Sequence, residues 1–148
     1  MRQPNGRADD PTDKPGRPVT ASEVRIVKTW HESLNEADVD RLVALSHPNI
    51  ELGGPRGTGR GSQLLREWAA RANIRLTPGR IFHRADTVVV EQEAEWSSPE
   101  TGQVTDSQTL ASVFVLHGGR VASVWRYDDL VEALRTANLN ESHETRAD

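Results

Sequence analysis

The 148-residue sequence predicts an α+β fold, with helices laid on one face of a curved antiparallel sheet. Three observations carry that expectation. Apolar residues recur at helical spacing as far as residue 72, alternate along four segments after Pro78, and return to helical spacing behind Asp129.

Thr20 and Glu23 are placed as a capping box, ahead of Val24, Val27, His31 and Leu34 on one helical stripe, with Ile26 and Trp30 alongside. A second short helix starts near Asp38 and turns Val39, Leu42, Val43 and Leu45 inward. It stops at "SHP", because the residue before a proline avoids helical backbone. "NIEL" reads as a short strand. Ser62 caps a third helix with Leu65, Trp68, Ala69 and Ala72 on one face. "GRIFH" and "TVVVEQEAEW" then flank a tight turn at Ala85-Asp86, and "SSPETGQV" is a second turn. Gly118-Gly119 joins "TDSQTLASVFVLH" to "RVASVWRYD" as a two-residue hairpin. Asp129 caps a last helix that carries Leu130, Val131, Leu134 and Ala137.

Both ends lack apolar periodicity and cannot offset their ordering entropy, so residues 1–18 and 140–148 are expected to be disordered tails around one domain at 19–139. There is no cysteine, hence no disulfide framework and no thiolate metal site. A net charge of −4 argues against a nucleic-acid partner held by phosphate contacts. No long apolar run or hydrophobic leader is present, so a cytoplasmic location without a membrane partner is expected.

The stretch "GGPRGTGRGSQLLREW" invites comparison with phosphate-binding loops. Gly54 and Gly59 frame a G-x-x-x-x-G, but Arg60 and Gly61 stand where Lys and Ser or Thr are required. The dinucleotide fingerprint also fails, since Ser62 occupies the place of its third glycine. "HESLN" begins like the zinc motif H-E-x-x-H and ends on Asn35 instead of histidine, so neither a metal nor any cofactor is expected.

The run "VKTWHESLNEADVDRLVALSHPNIELGGPRGTGRGSQLLREW", the Thr101-Gly102 turn and the ending "VFVLHGGRVASVWRYDDL" together resemble the SnoaL-like branch of the nuclear-transport-factor-2-like superfamily, over residues 22–139. The resemblance implies a cone-shaped, cystatin-like α+β fold whose sheet wraps a pocket closed by helices, and frequently a homodimer. It places the glycine stretch between the first strand and the third helix, near the pocket mouth. It does not imply one function, since isomerases, epoxide hydrolases, cyclases, dehydratases and non-catalytic modules share that cone.

Tight turns fix strand register, and side chains alternate faces with a period of two. Symmetric turns pair His83 with Val88, Gln92 with Thr109, and Ala111 with Arg126. One face then carries His83, Val88, Val90, Gln92, Ala94, Trp96, Thr109, Ala111, Val113, Val124, Arg126 and Asp128, and suits a pocket floor. The other carries Glu91, Glu93, Glu95 and an apolar patch of Leu110, Phe114, Trp125 and Tyr127, expected to be a homodimer surface.

The candidate ligand-binding residues are Arg126, Gln92, Thr109, Trp96 and Trp30. An inward guanidinium needs a counter-charge, supplied either by an organic anion or by Asp128 in an internal ion pair. His83 and Asp128 are the catalytic candidates, with Arg126 stabilising an oxyanion. His31, on the inward helical stripe, reads equally as a satisfied core residue. The acids that the resemblance would supply are missing. Gly54 precedes Pro55-Arg56-Gly57 where steroid isomerases carry an aspartate, and Arg126 precedes Tyr127 where epoxide hydrolases and SnoaL-type cyclases carry an acid. The expected function is thus binding of a small, mostly apolar, anionic organic molecule, with or without isomerase, hydratase or cyclase chemistry. The alternative is a non-catalytic binding or dimerisation module.

Overall fold

The computed structural model describes residues 21–145. Helix α1 (Ser22–Asn35) begins behind Ala21; Thr20, expected to cap it, lies outside the described residues, as does the segment expected to be an N-terminal tail. The predicted stripe is the buried one: Val24, Val27, Trp30, His31 and Leu34 all face inward. The Asn35 side chain pins the end of the helix to a distant strand. Its Nδ2 donates to the Leu76 carbonyl at 2.8 Å, and its Oδ1 accepts from the Leu76 N–H at 2.9 Å. Helix α2 (Val39–Ala44) is capped by Asp38, whose carboxylate accepts from the Arg41 N–H at 3.2 Å.

Strand β1 (Ser46–Gly54) is longer than "NIEL", and the glycine stretch folds back on it as β2 (Gly57–Arg60), with Gly54 paired to Gly57. Gly61, at φ 107°, makes the turn into α3 (Ser62–Arg71). Ser62, expected as the cap, is instead the first helical residue, and its hydroxyl donates to the Pro48 carbonyl at 3.3 Å. The meander follows as β3 (Ile74–Arg84), β4 (Thr87–Ser97), β5 (Val104–His117) and β6 (Arg120–Tyr127). Helix α4 (Leu130–Ala137) and the two-residue strand β7 (Glu144–Thr145) complete the order. β3 starts earlier than expected and runs through Pro78. The proline is tolerated because this part of β3 is an open edge and a bulge follows at once. The sheet order is β2-β1-β6-β5-β4-β3-β7, with β1 and β6 parallel and the other pairs antiparallel. Among the described residues no helix is long and apolar enough to cross a membrane.

Residues expected as a C-terminal tail from 140 are partly built into the fold. Glu141–His143 form a 3-10 turn, and β7 lies on the edge of β3. Asn140 caps that turn with local hydrogen bonds, so polar, aperiodic sequence is ordered here by capping and by strand pairing.

Two bulges correct the expected faces of β5. The Ala85-Asp86 turn pairs His83 with Val88 and Ile81 with Val90, as the turn predicts. In the next hairpin Ser97 pairs with Val104 but Trp96 pairs with Asp106, so Thr105 is extra and Gln92 meets Leu110 rather than Thr109. In the Gly118-Gly119 hairpin Leu116 pairs with Val121 but Val115 pairs with Ser123, so Ala122 is extra and Ser112 meets Arg126. One extra residue moves every following side chain to the other face. The first bulge inverts β5 against β4, and the second restores β6. Thr109, Ala111 and Val113 therefore lie on the outer face, while Leu110, Ser112 and Phe114 lie on the inner one.

Leu110 and Phe114 are 2% and 0% exposed in the inner core, which removes them from the expected dimer surface. Trp125 and Tyr127 stay on the outer face and are partly buried. The Trp125 ring covers Gly53, where a Cβ would come within 2.6 Å of it, and Tyr127 packs beside α4. Helices α1 to α3 cover the inner face, whereas α4 covers the outer one. Its Ala133 and Leu134, with Leu139, close over Phe82, Val89, Ala111 and Val113.

Candidate functional site

The inner face is not completely filled. A cavity of ≈ 610 Å³ opens between α1, α3, the β1–β2 hairpin and the meander. Its walls are mainly apolar: Leu52, Leu64, Ile74, Leu76, Leu110 and Val124, with Trp30, Trp68 and Phe114. Trp30 and Trp68 lie nearly parallel, with centroids 6.5 Å apart and planes at 21°, and Phe114 meets Trp30 edge-on at 5.3 Å. Trp30 is fixed from behind, its indole N–H donating to Ser46 Oγ at 3.0 Å while Ser46 donates to the Leu42 carbonyl at 2.8 Å. Such walls suit a planar apolar body.

The glycine stretch forms one rim, from Gly53 to Gly59 with Arg56 among them. It is therefore a hairpin at the cavity, as the resemblance placed it near the mouth. A Cβ at Gly59 would press on the end of the Leu64 side chain, which would have to move to admit it.

Polar groups are few and form one row across three strands: Gln92 on β4, Ser112 on β5 and Arg126 on β6. Gln92 and Ser112 are buried, at 1% and 3% exposure. Ser112 Oγ donates to Gln92 Oε1 at 2.8 Å, and Gln92 Nε2 donates to His31 Nε2 at 2.8 Å. His31 Nδ1 lies 2.8 Å from the Val27 carbonyl, which can only accept, so Nδ1 carries the ring proton. Burial pushes the His31 pKa down to about 4, against a smaller upward push from the Val27 carbonyl. The imidazole is neutral at pH 7 and Nε2 is a bare acceptor. Arg126 is half-buried, and among the described residues it makes no hydrogen bond or ion pair. No aspartate or glutamate among the described residues lines the cavity, so its charge comes from Arg126 and Arg56.

Of the residues singled out in the sequence, Trp30, Gln92 and Arg126 meet at this cavity. Trp96 is on the inner face, partly buried beyond its end. Thr109 is exposed on the opposite face and donates to Glu93 at 2.5 Å; the bulge at Thr105 puts it there. His83 does not line the cavity; it sits beside the Ala85 turn, its Nε2 2.8 Å from the Ala85 carbonyl and 3.4 Å from Glu23 Oε1. Asp128 is exposed past the end of β6 and forms no ion pair with Arg126. Ser112 is not legible in the sequence, because only knowledge of the bulges turns it inward; His31 and Gln92 are each expected inward, and the structure adds the hydrogen bond between them. Among the described residues no group of three histidines or carboxylates is placed to hold a metal ion.

The family model for the SnoaL-like domain matches residues 27–124. The chain belongs to the SnoaL-like domain family. Solved structures share the fold of this SnoaL-like chain at low identity. A nuclear transport factor 2-like protein from Cytophaga hutchinsonii is 15% identical with a TM-score of 0.64, over 83% of this chain and 98% of that one. A putative polyketide cyclase from Sinorhizobium meliloti is 18% identical with a TM-score of 0.61, over 70% and 94%. TerC, co-crystallised with polyporic acid, is 18% identical with a TM-score of 0.64, over 78% and 99%. No curated protein matches this SnoaL-like sequence.

Proposed function

We propose that this SnoaL-like chain binds a small, planar, largely apolar organic anion in the cavity, without acid/base catalysis. The observation that carries the reading is Arg126, a half-buried guanidinium with no partner among the described residues, opening into a cavity walled by Trp30, Trp68 and Phe114. A guanidinium so placed gains most from an oxyanion, which it can hold by two parallel hydrogen bonds. TerC in complex with polyporic acid fits an acid-binding use of this fold. Catalysis lacks a base. No carboxylate among the described residues reaches the cavity, His83 and Asp128 stand outside it, and the free lone pair of His31 is taken by Gln92. A homodimer through the outer face is not needed by this reading, and Trp125 and Tyr127 already pack within the chain.

The test is a titration of the wild type and of Arg126→Gln with 2-naphthoate, followed by tryptophan fluorescence. Wild type is expected to bind, and the variant to lose about ten- to hundredfold in affinity, the span of a hydrogen bond to a charged group. Equal affinity in both proteins would remove Arg126 from the site and the proposal with it.

A further inference from the structure

The polar row has a fixed hydrogen-bond direction. The Val27 carbonyl sets the proton on Nδ1 of His31, which leaves Nε2 to accept from the Gln92 amide N–H. That orients the Gln92 side chain, so its carbonyl oxygen faces Ser112, and Ser112 must donate its only hydroxyl proton to it. What Ser112 retains for the cavity is lone pairs. Directly across the strand pair stands Arg126, which offers only donors.

We infer that His31, acting through Gln92, fixes Ser112 as a hydrogen-bond acceptor beside the donor Arg126, so that the site selects planar organic acids carrying a hydroxyl group over their ether or keto counterparts. The inference rests on the anion reading of Arg126 and adds the second polar group of the ligand. A hydroxyl donates to Ser112 Oγ without disturbing the row. An ether or keto oxygen in the same place meets a lone pair, and Ser112 can satisfy it only by leaving Gln92 Oε1 without its donor, a buried loss that sites of this kind discriminate against. His31 touches no ligand in this scheme; it is a positioning residue.

A series of hydroxy-2-naphthoates, each paired with its methyl ether and compared with 2-naphthoate, tests this by fluorescence or calorimetric titration. At least one ring position is expected to favour the hydroxyl over the ether by about five- to tenfold in the wild type. Ser112→Ala and His31→Leu are expected to bring that ratio close to one, and because the ratio is taken within each variant, any change in its affinity for 2-naphthoate cancels. A hydroxyl preference kept at the wild-type ratio in Ser112→Ala would overturn the assignment. If 2-naphthoate binds but no hydroxyl is preferred at any position, the donor–acceptor assignment is wrong and the anion reading stands. If no naphthoate binds, both fall together. The wild-type series alone can support or overturn the assignment, whether or not the variants fold.

Discussion

The two faces of one sheet are finished in different ways. Where α4 lies, the outer face is sealed: Phe82, Val89, Ala111 and Val113 lie under that short helix, with Leu139 completing the cover. The inner face has three helices over it and still keeps an opening of ≈ 610 Å³, because Trp30, Trp68 and Phe114 hold the layers apart and the β1–β2 hairpin stands at one rim. A packed interior normally leaves few voids larger than a water molecule. The outer face obeys that rule and serves stability. The inner face departs from it, and its polar row lies where it departs.

If that division of labour holds, damage to the outer face should lower stability and spare binding. Phe82→Ala is the strongest case, since the ring is fully buried and faces away from the cavity. The expected loss is about 3–5 kcal/mol of unfolding free energy, measured by denaturant melts. Affinity for 2-naphthoate per folded molecule should not change. A parallel fall in affinity would show that the two faces are mechanically one.

Acid should act through the inner face. The folded pKa of His31, about 4, lies below its ordinary 6.5, so the unfolded chain binds the proton more readily. The associated stability is present in full above pH 6.5, is lost as pH falls towards 4, and does not change further below that. Between pH 7 and pH 4.5 the wild type should lose roughly 2–3 kcal/mol on this account. His31→Gln, which cannot titrate there, should lose correspondingly less across the same interval. An unchanged pH dependence in the variant would refute the assignment.

How much of this is readable from sequence follows the bulges. The helices, the strand order of the meander and the Ala85-Asp86 register are written in spacing and turn residues. A bulge has no such mark: Thr105 and Ala122 look like any other strand residue, yet each inverts the chain beyond it. Simple alternation puts Arg126 and Gln92 on the correct face because two inversions separate the start of β4 from β6 and cancel. Thr109, Leu110 and Phe114 fall between the inversions, so alternation puts them on the wrong face and hides Ser112 with them. The hairpin in the glycine stretch is hidden for another reason. Four of its residues pair only with β1, and glycine carries no face to read.

The smallest effect is expected at the outer edge, where the chain returns as β7. Arg80 donates to Glu141 at 2.5 Å and to both oxygens of Glu144 at 2.8 and 3.0 Å, with its guanidinium 5.0 Å from the Phe82 ring centre. The hydrogen bond from Arg80 holds the Glu144 carboxyl below its usual range, so its contribution is present above that range and disappears in acid. All three side chains are well exposed, and exposed pairs are screened by water and salt. Arg80→Gln should therefore lower Tm only slightly at low ionic strength and not at all in molar salt. Ending the chain at Asn140 should cost more and should persist in salt, because it also removes the β7 backbone pairing that flanks Ile81 and Phe82. If the point variant melted as low as the truncated chain, the ion pairs and not the strand would be holding that edge.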